Sequence, residues 1–459
     1  MLLFTKGVIY MTNFIRMVGA EIKGIKNVNF GKIDFKTNFI ENLKLDLGDV
    51  TGIYGQNGSG KSSFVDSAAL LKDYLSGNNL IEYYDLININ SDKCKLLFNF
   101  FCSINNKKYS ISLTFSLTKI ENKVFVSDEK IRYKELENEE FGNLKTLIES
   151  SKNTLLGTSS TFDKFIKENE VDLKVCKKIS EINGHSFIFS NDFLELLNKK
   201  SNEFIPILNI LYALQKYAII DLFVITNKNI GVINLANVFP LTMKTDHTSG
   251  SFVITKKEII INENLYNEIK KVIDQINIVL KTIIPEMQLG LEIIKKDFIS
   301  KDEINIILEL LSIRNGQKIS INNESEGIKK IISILSALIA AYNDEKVCLI
   351  VDEFDAGVFE YLLGELLYVL SSGIKGQIIF TSHNLRIMEK LDKDSIVLTT
   401  VNHDNRYTKF KHIKPTNNLR DVYIRELILN EQKEKLYEKT NNGDIEFALY
   451  KAGVFNERK

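Results

Sequence analysis

Gly55-Gln-Asn-Gly-Ser-Gly-Lys-Ser-Ser63 is the stretch on which the reading of this chain turns. It fits G-x-x-x-x-G-K-[ST], with Gly55, Gly60, Lys61 and Ser62 at the defining places. Glycines in such a run let successive backbone N–H groups turn towards one anion. A helix that starts where the run ends adds its positive N-terminus. The lysine then reaches β- and γ-phosphates, and the hydroxyl after it ligates Mg²⁺. The run before the loop, Asp49-Val-Thr-Gly-Ile-Tyr54, is β-like, and the run from Ser63 to Lys72 is helix-like. Strand, loop and helix are the required setting. Gly55, Asn57, Gly58, Ser59, Gly60, Lys61, Ser62 and Ser63 are therefore expected to cradle a nucleotide.

Around that loop the composition is ordinary for a folded chain. At 459 residues there is room for two or three cores, with 44% hydrophobic and 26% charged residues. Lys+Arg and Asp+Glu both number 59, so no global positive field draws the chain to nucleic acid. Contact with DNA would need a local patch or a second chain. The four cysteines are scattered without a C-x-x-C pair, which argues against a disulfide scaffold or zinc site and fits a reducing, cytoplasmic compartment. The apolar first eleven residues are too short for a signal peptide, and Met11 or Met17 is an alternative start. The longest apolar stretch, Phe204 to Ile225, is interrupted by Pro206, Lys216 and Asp221 and reads as a buried helix and strand rather than a membrane span.

Along the chain, short alternating runs from Val18 to Phe39 and at Lys95–Phe101 and Lys108–Leu117 predict antiparallel strands that roof the nucleotide. Residues 17–135 are expected to form the N-terminal lobe of the nucleotide-binding unit. Residues 136–289 lose the β pattern and are expected to be a mostly helical insertion. Within it Leu265, Ile269, Val272, Ile276 and Leu280 mark one amphipathic helix. Strand and helix then alternate through a C-terminal lobe at 290–415, followed by a helical extension at 416–459. The expected fold class is α/β: a mixed central sheet flanked by helices, an antiparallel β subdomain and the insertion.

Four further stretches lie in that second lobe. Val347-Cys-Leu-Ile-Val-Asp-Glu-Phe-Asp355 is a β run ending in acids. Asp352 is placed to hold Mg²⁺ and Glu353 to polarise an attacking water. Asn323-Glu-Ser-Glu-Gly-Ile-Lys-Lys330 opens a helix, where Ser325 is either a plain N-cap or, with Gly327, a second anion site. Phe380-Thr-Ser-His-Asn384 follows a later strand, and His383 is one of only five histidines. Arg406 to Lys414 is a basic, aromatic-laced run that suits a charged edge strand ahead of a nucleic-acid backbone.

Taken in order, these motifs resemble the ABC-type ATPase heads of the SMC, RecF and OLD-like AAA-family proteins, over roughly 17–125 and 290–412. The resemblance implies roles for matching positions. Ser325 and Gly327 would be the signature that closes on the γ-phosphate of another protomer. Asp355 would belong to the loop linking two sites, and His383 would be the switch that senses the γ-phosphate. ATP and Mg²⁺ are the implied cofactors, and the loaded state would be a homodimer with two sandwiched nucleotides, with a higher oligomer open. Glu324-Ser-Glu-Gly-Ile-Lys and Asn418-Leu-Arg-Asp-Val-Tyr resemble in particular the ATPases of bacterial anti-phage and abortive-infection systems.

There are departures from the family pattern. The signature lacks the double glycine of transporter heads, no glutamine stands at an obvious Q-loop position, and Ala356–Glu360 lacks the histidine common in OLD-like chains. About forty-five residues follow Pro415, too few for the Toprim nuclease domain of OLD nucleases. Asn227-Lys-Asn229 is not the guanine-reading N-K-x-D, which favours ATP over GTP. The expectation is an ATPase with Lys61, Glu353 and His383 at the chemistry and Ser62 and Asp352 at the metal. It would act as sensor or regulator of a separately encoded nuclease or toxin, with no membrane partner. The alternative is a RecF/SMC-like DNA-binding ATPase of repair or recombination.

Overall fold

Two kinds of strand pattern build two different layers. The computed structural model describes residues 14–35, 48–137, 140–157, 161–200, 204–226, 239–244, 249–254, 259–300, 303–411, 414, 417–429, 434–438 and 440–454. The first layer is antiparallel. β1 (Phe14–Ile25) and β2 (Val28–Asp34) form a hairpin. β3 (Asp49–Tyr54) leaves for another sheet and runs through the glycine loop into α1 (Lys61–Ser76). The chain returns as β4 (Lys93–Ile104), β5 (Lys107–Ile120), β6 (Lys123–Glu137), β7 (Glu140–Phe141) and β8 (Lys145–Ser151). The order is β2-β1-β4-β5-β6, with β7 and β8 both on β6. Alternation sets the face: β4 buries Leu96, Phe98, Phe100 and Cys102 and leaves Lys93 and Lys95 in water. Asn105 and Asn106, both with positive φ, make the two-residue turn to β5.

α2 (Thr161–Glu168), α3 (Glu170–Asn183), α4 (Asn191–Lys200) and α5 (Ile205–Lys216) follow, and a π-helical turn at Tyr217–Asp221 leads to β9 (Leu222–Ile225). After the β10 (Phe239–Lys244) and β11 (Ser249–Ile254) hairpin come β12 (Ile259–Asn262), α6 (Glu263–Ile283), β13 (Met287–Ser300), β14 (Glu303–Arg314) and β15 (Gln317–Ser320). β12-β14-β13 is a small antiparallel sheet, with β15 also on β14. The side chain of Asn262 caps α6, whose Ile269, Val272, Ile276 and Leu280 stripe is buried against that sheet.

The last segment supplies α7 (Glu326–Asn343), β16 (Cys348–Val351), α8 (Glu360–Gly373), β17 (Gln377–Ser382), α9 (Leu385–Met388), β18 (Ile396–Thr399), β19 (Tyr407–Thr408), α10 (Leu419–Leu429) and α11 (Asn442–Val454). The central sheet has the order β19-β18-β3-β17-β16-β9 and is parallel except for β19. Every residue of β3, β16, β17 and β18 is buried, as expected of unbroken apolar runs covered on both faces. Arg16 of β1 and Asp49 of β3, 1% and 2% exposed, meet at 3.7 Å and join the layers. The expected fold class, a mixed central sheet with flanking helices and an antiparallel β subdomain, is the one observed.

Among the described residues of 136–289 helix outweighs strand, as expected, but the stretch is not separate from the core sheets. Between 136 and 289, β8 completes the antiparallel layer and β9 pairs in parallel with β16 inside the central sheet. β9 has four residues and no polar alternation, so its sequence shows only apolar character; pairing with β16 makes it a core strand. Met1, Met11, Asn227-Lys-Asn229 and Pro415 lie outside the described residues, while Met17 is buried within β1. The four cysteines are free and buried. Among the described residues no helix is long and apolar enough to cross a membrane.

Candidate nucleotide-binding and hydrolysis site

Parallel strands end on one edge of a sheet, and three of them bring the motifs together there. β3 runs into the glycine loop, β16 into Asp352 and β17 into His383. Gly60 precedes α1 with φ 94°, a left-handed conformation, and a Cβ there would lie 2.9 Å from Val28 Cγ2. Lys61 is 5% exposed, and its Nζ donates to the carbonyls of Gly55 (2.8 Å) and Gln56 (2.9 Å). Burial lowers its ammonium to about 8, while the carboxylates of Asp352, Glu353 and Asp355 favour the charged form. Ser59 Oγ donates to Gln56 O at 2.7 Å, Tyr407 Oη donates to Gly60 O at 2.7 Å, and Asn27 Nδ2 donates to Gly58 O. The antiparallel layer therefore reaches the loop through the β1–β2 turn, the contact a roof requires. Asn57 and Gly58 are exposed, Ser62 is half-buried and Ser63 is buried in the first turn of α1.

Asp352, 2% exposed, accepts from Thr381 Oγ1 (2.6 Å) and from the Ser62 hydroxyl. Burial raises its carboxyl above the ordinary range against the pull of those two donors. Ser62 and Asp352 thus form a hard-oxygen pair of the kind Mg²⁺ takes together with substrate phosphates. Glu353 follows with φ 46°, its N–H donating to Thr381 Oγ1 at 2.7 Å and its carbonyl accepting from Lys330 Nζ. Asp355 Oδ2 accepts from the backbone N–H of His383 at 3.1 Å. The His383 imidazole is held below its ordinary value by partial burial and then by the Lys61 charge, so the ring is neutral at pH 7.

Ser325 is exposed and is the N-cap of α7, its Oγ accepting from the N–H of Ile328 at 3.4 Å. The capping reading is therefore met within one chain. Among the described residues no hydrogen bond joins Ser325 to the glycine loop, Asp352 or His383. Gly327 is needed for another reason: a Cβ there would sit 1.8 Å from the carbonyl oxygen of Gly357, two residues past Asp355. Glu324 anchors the start of this segment to β14 through Ser312 (2.6 Å) and Arg314 (2.9 Å).

Reasoning from the sequence left Lys330 and Thr381 without roles, and both lie at the centre of the acidic run. Lys330 is 4% exposed and shares a buried stripe with Ile334, Ala337 and Ala341. A charge on an apolar helical stripe was the available signal. Thr381 carried none, since a threonine at a strand end is commonplace. The Arg406–Lys414 run opens inside the protein: Arg406 donates to Asn27 O and Thr400 O, Tyr407 holds Gly60, and β19 is the sheet edge. β19 is thus an edge strand, but Arg406 and Tyr407 are buried against the loop and present neither a guarding charge nor a nucleic-acid contact to solvent.

A family profile described as "AAA domain, putative AbiEii toxin, Type IV TA system" matches residues 50–166. No curated protein matches the chain. Solved structures to which the chain is similar include an Smc head bound to the C-winged helix domain of ScpA. It is 14% identical with TM-score 0.44, and the match spans 86% of this chain and 98% of that one. An Smc head with an extended coiled coil from Pyrococcus furiosus is 12% identical over 91% and 100% of the two chains, TM-score 0.41. The recombination mediator RecF is 12% identical over 87% and 99%, TM-score 0.38.

Proposed function

We propose that this chain is an ABC-type ATPase that binds ATP with Mg²⁺, hydrolyses it, and closes head to head on a second copy around two nucleotides. One observation carries the reading: Lys61, Ser62, Asp352, Glu353, Asp355 and His383 gather from three separate stretches at the C-terminal edge of one parallel sheet. That edge is where open α/β sheets bind ligands. Lys61 exchanges its loop carbonyls for phosphate oxygens. Mg²⁺ held by Ser62 and Asp352 would neutralise charge on the β- and γ-phosphates. Glu353 takes the proton of the attacking water, and the His383 ring would face the γ-phosphate. The exposed N-terminus of α7, with Ser325 and Gly327, would serve the nucleotide of the partner protomer.

The same proposal gives the closing motion a purpose, which is to hold or release a separately encoded nuclease or toxin in anti-phage defence. The toxin–antitoxin description of the matching family supports that setting. The test is Glu353→Gln purified in Mg²⁺-ATP and in ADP, with particle mass measured and copurifying molecules identified. Turnover should fall about 10²- to 10⁴-fold while ATP is retained. The mass should double in ATP with a second protein attached. DNA in place of that protein would favour the repair ATPase, and an unchanged mass would overturn the head-to-head dimer.

A further inference from the structure

Glu353 is the residue whose geometry the proposed hydrolysis depends on most, and its backbone is held from both sides. A φ of 46° is a conformation that residues with a Cβ avoid. Thr381 of β17 accepts its N–H, and Lys330 of α7 donates to its carbonyl. Neither partner is on the segment that carries Glu353. The lysine reaches this place from a helix stripe otherwise filled by Ile334, Ala337 and Ala341, where an apolar residue would pack at no electrostatic cost. The residue is 4% exposed, and its ammonium faces Asp352, Glu353 and Asp355.

We propose that Lys330 is a positioning residue for hydrolysis, holding the left-handed backbone of Glu353 and tying it to the Ser325 end of α7. The proposal rests on the ATPase reading. Because Lys330 and Ser325 belong to one helix and its cap, a shift of α7 when Ser325 meets a phosphate moves the Glu353 carbonyl with it. Hydrolysis is thereby linked to closure without a direct contact between Ser325 and Glu353. A lysine that only balanced the three carboxylates would affect nucleotide affinity and folding; one that sets the backbone of Glu353 affects the chemical step.

Lys330→Met, assayed as full-length protein with Mg²⁺-ATP, should lower kcat by about 10²-fold, the scale of a misplaced catalytic group, with KM within about threefold of wild type. Combined with Glu353→Gln it should add no further loss, because both act on one group. Lys330→Gln, which keeps a donor but not the charge, should recover part of kcat. A Lys330→Met enzyme with wild-type kcat, or one losing kcat and ATP affinity in parallel, overturns the proposal. If Lys330→Met does not fold, Lys330→Ala, which also lacks the donor, is judged by the same kcat and KM criterion. An inactive wild type would instead refute the ATPase reading.

Discussion

Replacing Gly327 by alanine isolates the packing of the signature segment on the loop that carries Asp355. In a helix this change ordinarily stabilises by about 1 kcal/mol. Here the added Cβ would lie 1.8 Å from Gly357 O and 2.9 Å from Gly357 C, whereas real Cβ contacts stay above 3.0 Å. The two backbones must therefore part by about 1.2 Å, and neither is a flexible side-chain end. Carried into Asp355, that shift breaks the 3.1 Å bond to the His383 N–H. Overpacking of this kind costs about 1–3 kcal/mol, so propensity cancels much of it and global stability moves little. Catalysis responds more sharply: a misplacement near 1 Å lowers turnover by about 10²-fold. Steady-state ATPase kinetics, nucleotide titration and denaturant unfolding on one preparation separate these effects. Gly364→Ala in α8 is the control, since nothing lies within 4 Å of its added Cβ, and it should leave turnover unchanged. Wild-type kcat in Gly327→Ala would show that Asp355 does not move with the Gly327–Gly357 contact.

Lys61→Met should abolish the stabilisation by ATP, which for the wild type reaches about 2.7 kcal/mol at a hundred times Kd, read by thermal unfolding with and without nucleotide. The nucleotide-free variant should be no less stable than wild type, because it no longer buries a charge. Arg16→Met should cost about 3–5 kcal/mol in denaturant unfolding by leaving Asp49 buried beside an apolar chain, and Asp49→Leu added to it should restore most of the loss. Burial lowers Lys330 from its ordinary 10.5 to about 8, so between those values the unfolded chain binds the extra proton and stability rises with pH. Wild type should gain on Lys330→Met across that window by up to about 1.4 kcal/mol per pH unit, and a pH-independent difference would refute the burial of the charge.

Local chemistry was readable from the chain alone. The glycine loop, the apolar strand ending at Asp352 and the amphipathic helix at Leu265–Leu280 depend on residues within a few positions of one another. Spacing of that range states which groups can face one anion or one core. The boundary of the insertion was not readable, because β9 is too short for periodicity to separate a core strand from the end of a helix. Ser325 was readable as a cap, and its bond to Ile328 has the range that such patterns report.

The contacts that complete the site join segments far apart in the chain. Thr381 holds Asp352 and Glu353 from 28 or 29 positions away, Lys330 reaches Glu353 across 23, and Asn27 meets Gly58 across 31. Tyr407 closes on Gly60 across 347. None of these residues announces its partner, since a threonine, a lysine or an asparagine has many uses and only the sheet order brings one of them into contact. A phosphate loop and a pair of acids are legible in the residue order alone. The parallel order β3-β17-β16 determined that they share one edge and what holds Glu353 in place there. A hydrogen bond forms over about 3 Å of space, whatever length of chain separates its ends.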